Sequence, residues 1–202
     1  MHPVLIKALD STFGHPRGIM GRIGGAVMVR GNAPQEQWAV ELADPRPGDR
    51  VLVLGHGPGV GLALTADAVT GAGGFVLGVD PSRAMRKMAA ARCSAGVRSG
   101  LVEIRDGTSE RTGCADASMD KAISVNNITM WDRPASFREL RRVLRPGGEL
   151  IIVAHRHIMN TSPEELRADT VAGGFDDVTL TMRGRSLNRA VAGIRARNPG
   201  TA

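Results

Sequence analysis

The sequence predicts an α/β protein built on one doubly wound, mostly parallel sheet with helices on both faces. Three observations carry this. Short apolar runs of strand length alternate with helical runs along most of the chain. The run Val51-Leu52-Val53-Leu54 is apolar at every position, as a strand covered on both sides must be. It passes directly into a glycine-dense turn, Gly55-His56-Gly57-Pro58-Gly59-Val60-Gly61, and then into an apolar helical segment. In that order, strand, turn and helix place free N–H groups beside a backbone that a ligand can approach closely.

The elements follow in sequence. Residues 1–32 precede the core and read as a helical extension; Gly21, Gly24 and Gly25 soften its second helix, which makes it a candidate lid over the site. Asn32 is placed to cap the next helix, with Pro34 in its first turn, Glu36 nearby, and Trp38, Ala39, Val40 and Leu42 on its apolar side. After the opening strand, turn and helix, Phe75 to Val79 is a second buried strand ending at Asp80, and Pro81 opens a helix reaching about Ala91. Leu101 to Ile104 is a third strand, 105–118 a polar loop, and Lys121 to Val125 a fourth strand ending at Asn126-Asn127. A helix around Ala135 to Leu144 stops at Arg145-Pro146-Gly147-Gly148, and Glu149 to Ala154 is the fifth strand. Ser162-Pro163-Glu164-Glu165 has the layout of a capping box and launches a helix to about Ala172. Asp177 to Met182 alternates as a half-exposed strand does, and Val191 to Ala196 is the seventh strand. The division expected is an extension, 1–32, and one α/β domain, 33–202.

Composition narrows the class. At 202 residues and 42% hydrophobic, the chain can bury a full core. No apolar run approaches the ~20 residues of a membrane helix, and the N-terminus lacks a signal-peptide layout, so the expectation is a cytoplasmic protein without membrane partners. Cys93 and Cys114 have no Cys or His at metal spacing, so neither a disulfide framework nor a metal site is expected. The net charge is +6, but the basic residues are scattered, aromatic residues are 3% and Tyr is absent; nucleic acid is not expected as a partner.

The glycine spacing bears on the ligand. A dinucleotide fingerprint needs G-x-G-x-x-G, and in either register the third position holds Val60 or Leu62. What stands there is G-x-G-x-G. No Gly-Lys-Ser/Thr follows, which excludes a P-loop. Asp80, at the end of the second strand, can accept both hydroxyls of a ribose. Four pieces at matching spacing, VLVLGHGPGVG, VLGVDPSRAMRKMA, ASMDKAISVNNITMW and LRRVLRPGGELIIVAH, resemble the class I S-adenosylmethionine-dependent methyltransferases, closest to the small-molecule type with an N-terminal helical extension. The resemblance implies a Rossmann-like seven-stranded sheet. It also implies S-adenosylmethionine as cofactor, S-adenosylhomocysteine as product, and methyl transfer to a small organic acceptor such as a secondary metabolite.

It further implies residue roles. Gly55, His56, Gly57 and Gly59 would meet the amino-acid end of the cofactor, Asp80 the ribose, and Pro81 the adenine face. Gly107, Thr108 and Ser109 would edge the adenine, while Val125 and Asn126 would face the sulfonium region. Val53 stands where many members carry an acid that helps hold the methionine amino group; Thr108 stands where many carry Asp. General-base candidates are His155, just past the fifth strand, and His15 in the extension; an imidazole titrates near neutral pH. The Val53 and Thr108 departures leave a second reading, a protein of this fold that does not methylate, such as a cyclase, an isomerase or a binding module. An RNA methyltransferase and an NAD-dependent oxidoreductase are weaker alternatives. A monomer or a homodimer is compatible with the sequence.

Overall fold

The computed structural model describes residues 32–184 and 190–200. The extension with its candidate base His15 therefore lies outside the described residues, apart from Asn32. Among the described residues, helix α1 covers 32–43. Then follow β1 (Arg50–Leu54), α2 (Val60–Val69), β2 (Phe75–Val79), α3 (Arg83–Arg92), α4 (Ser94–Ser99), β3 (Val102–Arg105), β4 (Met119–Val125), α5 (Arg133–Val143), β5 (Leu144–His155), α6 (Pro163–Ala172), β6 (Asp176–Arg183) and β7 (Val191–Arg197).

The seven strands form one sheet in the order β3-β2-β1-β4-β5-β7-β6. Strands β1 to β5 pair in parallel, and β7 runs antiparallel to both β5 and β6. Strand order reverses between β1 and β4, and in open α/β sheets ligands bind beyond the carboxyl ends of the strands at such a switch point. The continuous apolar reading of β1 is explained by its surroundings. Leu52 and Leu54 join a core with Phe137, Leu140 and Val143 of α5, Leu166 of α6, and Phe175. Val51 and Val53 join the opposite core with Trp38 and Ala39 of α1, Leu62 and Val69 of α2, and Ala89 of α3. All four are nearly inaccessible to solvent.

Several local expectations are corrected. Asn32 lies inside α1 rather than capping it, and its Oδ1 accepts from Nδ2 of Asn126 at 3.0 Å. Residues Ser94–Ser99 form a helix that the sequence did not reveal, because Gly96 interrupts its pattern; a Cβ at Gly96 would meet Val102 Cγ2 at 2.7 Å. Strand β5 starts at Leu144 and takes in the Arg-Pro-Gly-Gly segment expected as a separate turn. Asn198, 2% exposed, holds that segment: Nδ2 donates to the carbonyls of Leu144 (2.6 Å) and Arg141 (3.0 Å), and its N–H to that of Gly148 (2.8 Å). Asn198→Ala strands buried carbonyls and is expected to cost about 2 kcal/mol. This would appear as a lower urea midpoint with unchanged slope. The capping box at Ser162 and Glu165 is present as expected.

Among the described residues no helix is long and apolar enough to cross a membrane, and no group of His, Cys, Asp or Glu is arranged to hold a metal ion. Cys93 and Cys114 are free and buried, and burial pushes both thiols up.

Candidate active site

The strand ends of β1, β2, β3 and β4 meet around the glycine turn. Gly55, Gly57 and Gly59 have φ of 55°, 52° and 86°, the left-handed region that favours glycine. Space also requires two of them. A Cβ at Gly59 would lie 2.8 Å from Ala89 Cβ of α3, and one at Gly55 would collide with Nδ2 of Asn127. From α3, Nε of Arg92 donates to the carbonyl of Pro58 at 3.0 Å. Gly59 is the N-cap of α2, which has neither a capping side chain nor an acid in its first turn. That helix supplies no acid of its own at its positive end.

Asp80 ties the turn to the end of β2. Oδ2 accepts from the N–H of Gly57 at 3.0 Å, and Oδ1 from the N–H of Ser82 at 2.8 Å. Each carboxylate oxygen has two acceptor sites, so one on each remains available. Burial raises the Asp80 carboxyl, against the pull of His56, the two N–H groups and Arg86. Arg86 donates from Nη1 to the Asp80 carbonyl (2.6 Å) and to Asp106 (2.8 Å), joining the ends of β2 and β3. Pro81 is exposed beside Asp80.

His56 does not face outward. Its ring is 2% exposed and packs over Gly78 of β2, where a Cβ would meet its Cδ2 at 2.9 Å. Nδ1 lies 2.8 Å from the Gly57 carbonyl and so carries the proton. Nε2 is buried with no hydrogen-bond partner among the described residues. Burial pushes the imidazole below its ordinary range, and Asp80 opposes the shift. His56 is a neutral strut beneath the turn.

Beyond β3, Gly107 lies against Val79 and the Arg111 carbonyl, and Thr108 is exposed and bridges to Arg111. Ser109 is buried, and its hydroxyl is engaged internally. It donates to Glu110 at 3.0 Å and accepts from Ser136 of α5 at 2.9 Å. Its side chain is a bracket between loop and helix.

At the end of β4, Val125 is buried and Asn126 adopts φ 57°. The Asn126 side chain joins three elements: Nδ2 donates to Asn32 of α1, and Oδ1 accepts from the N–H of His155 at 2.9 Å. Neither Asn126 nor Asn127 caps a helix through its side chain. Asn127 is buried and fastens β1 to β4, with Nδ2 donating to the Leu54 carbonyl (2.6 Å) and Oδ1 accepting from Trp131 Nε1 (3.0 Å). Trp131 packs edge-on against Phe137, whereas Met130 is 60% exposed. His155 closes β5, partly buried, with its ring centroid 5.0 Å from that of His157. Burial, and then the neighbouring His157, lower its imidazole, so it is held neutral.

One site residue carried no functional signal in the sequence. Glu36 of α1 is 8% exposed, and a Cβ at Gly61 in the first turn of α2 would run into its Oε2. Burial alone pushes its carboxyl up from 4.5 to about 8. Asn32 against Asn126 and Glu36 against Gly61 together seat the first turns of α1 across the ends of β4 and β1.

Known proteins bear the same pattern. Residues 52–152 match the family model described as a methyltransferase domain. An uncharacterized methyltransferase, YdaC, of Bacillus subtilis is 30% identical over 80% of this chain and 90% of its own length. The nocamycin O-methyltransferase of Saccharothrix syringae is 33% identical over 58% of this chain and 41% of its own. The crystal structure of a SAM-dependent methyltransferase from Aquifex aeolicus superposes with a TM-score of 0.68 over 98% of both chains at 18% identity, which shows a shared fold. Taken with the sheet order and the glycine turn at its switch point, these matches place the chain in the class I S-adenosylmethionine-dependent methyltransferases.

Proposed function

We propose that this methyltransferase acts on a small organic acceptor, and that the strand-end cradle around Asp80 holds the cofactor. The observation that carries the reading is the carboxylate of Asp80, fixed by the N–H groups of Gly57 and Ser82 with one acceptor site left on each oxygen. Two vicinal hydroxyls suit such a pair of acceptors. The glycine turn holds its left-handed backbone close against the protein, because Cβ atoms at Gly55 and Gly59 would collide with Asn127 and Ala89.

The roles are those that membership of the family implies for these positions. Gly55, Gly57 and Gly59 offer a bare backbone to the amino-acid end of the cofactor. Pro81, exposed beside Asp80, packs on the adenine, which Gly107 and Thr108 edge. Val125 and Asn126 bound the region of the sulfur. Ser109 and His56 act from beneath, holding loop and turn in position. When bound, S-adenosylmethionine supplies a sulfonium methyl that is already electrophilic. The chain then has to align the acceptor with it and remove a proton where the acceptor carries one. His155 would remove that proton. It ends β5 beside Asn126, and its lowered basicity keeps the imidazole unprotonated at neutral pH. The exposed Met130 and Ile158 add apolar surface near these strand ends.

A small acceptor is supported by the size of the domain, which carries no large insertion between β5 and α6, and by the nocamycin relative, an O-methyltransferase by name. Incubation with methyl-labelled cofactor and fractionated cell extract tests the reading directly. Label is expected in the small-molecule fraction; label in RNA would overturn it. The extension completes the proposal as a cover for the acceptor. Deleting residues 1–31, which spares Asn32, should abolish turnover and leave thermal melting of the domain near that of the full chain. Full activity in the shortened protein would remove the lid.

A further inference from the structure

The strand-end cradle lacks an acid on β1. Val53 is 2% exposed, pairs with Gly78 and Ile123, and packs into the core that contains Trp38 and Ala39 of α1. The helix that covers Val53 supplies a carboxyl instead, and we infer that Glu36 is the group that receives the α-ammonium of the amino-acid end of the cofactor. The inference rests on the cofactor reading under Proposed function and deepens it.

Three features of the structure support it. First, position: Glu36 lies one helical turn after Asn32, on the same face, and Asn32 is fastened to Asn126 at the end of β4. Glu36 is thereby held over the first turn of α2, directly after the glycine turn. Second, clearance: Gly61, which the dinucleotide count leaves as an extra glycine, is the residue against which the Glu36 carboxyl rests, and any side chain there would displace it. Third, want of a partner: the carboxyl is more than nine-tenths buried, yet no hydrogen bond or ion pair holds it among the described residues. Buried carboxyls are normally paired. A ligand that brings a cation to the edge of the turn would supply the missing charge. The open N-terminus of α2 beside it suits the carboxylate of the same amino-acid moiety. Ammonium to Glu36 and carboxylate to the helix end would then fix the two charges of one zwitterion.

The test uses two ligands that share a nucleoside. S-adenosylhomocysteine carries the amino-acid moiety; 5′-methylthioadenosine lacks it. Both are titrated calorimetrically into the full chain and into Glu36→Gln. Loss of one charge-assisted contact should weaken S-adenosylhomocysteine about tenfold to a hundredfold. The affinity for 5′-methylthioadenosine should stay within about twofold. Glutamine matches the protonated carboxyl in shape, so the variant is expected to fold. Gly61→Ala, which pushes the carboxyl aside without removing it, should give the same selective loss. Unchanged S-adenosylhomocysteine binding in both variants, or an equal loss for both ligands, would overturn the role of Glu36 and leave the cofactor reading standing. Failure of the unaltered protein to bind either ligand would overturn the cofactor reading, and this inference with it.

Discussion

Asp80→Ala is expected to lower the affinity for S-adenosylhomocysteine by at least about a hundredfold, since charge-assisted hydrogen bonds contribute roughly 1.5–3 kcal/mol each and two are lost together. The substitution also releases the N–H groups of Gly57 and Ser82, so part of the loss comes from a loosened turn. Asp80→Asn separates the two contributions. Its side-chain oxygen can keep one of the backbone ties, while the neutral group is a poorer acceptor for hydroxyls. Calorimetry on both variants, beside their melting temperatures, resolves them. Binding by Asp80→Ala within about threefold of the unaltered protein would refute the ribose role, because a single neutral hydrogen bond is already worth about that much.

The stability of the ligand-free protein should depend on Glu36 in a direction opposite to that of most carboxylates. Its folded value is raised, to about 8 from an ordinary 4.5. Below about 4.5 the group is protonated in both states and costs nothing. As pH rises toward 8 the unfolded chain loses its proton while the folded chain retains it, so stability falls across that window and levels above it. One pKa unit corresponds to about 1.4 kcal/mol, which sets an upper bound near 5 kcal/mol for the whole window. No charged side chain among the described residues acts on the carboxyl; burial is the sole cause, and Gly61 is the surface against it. Urea unfolding at pH 5 and pH 8 should show the loss in the unaltered protein and a much flatter response in Glu36→Gln. An identical pH response in the two proteins would refute it. If an ammonium group ionises Glu36 on binding, S-adenosylhomocysteine should also release a proton near pH 7. That release would be measured as a binding enthalpy that varies with the ionisation enthalpy of the buffer.

The cradle is legible in the sequence to the extent that it depends on local backbone. Gly55, Gly57 and Gly59 mark a left-handed turn because no other residue adopts that backbone at so little cost. Asp80 is legible because a buried strand that ends in an acid has few reasons to do so. The seven strands are legible because both faces of the sheet are covered and the apolar runs stand clear of their surroundings. What the sequence hides depends on pairs distant along the chain. Glu36 sits between Gln35 and Gln37 and reads as the polar start of a surface helix; only its contact with Gly61 gives it meaning. Asn198 reads as a polar residue after the last strand, yet it fastens the segment before β5. His56 and Ser109 stand within ligand-facing motifs, which points their side chains at the ligand on sequence grounds alone. The structure turns both side chains inward, with His56 Nδ1 at the Gly57 carbonyl and the Ser109 hydroxyl at Ser136.

The place of β7 has a consequence for how the molecule is made. It follows β6 along the chain, yet it lies between β5 and β6. Its Gly193 leaves the space that Trp38 and Leu42 of α1 occupy. Until β7 arrives, β5 is an open edge and α1 has no floor for its indole. The helix that carries Asn32 and Glu36 is thus seated by β7. A nascent or C-terminally clipped molecule would keep the glycine turn but lack the wall above it, with an apolar edge left available to other chains. In this topology, the seating of α1 beside the glycine turn depends on a strand made more than a hundred residues later.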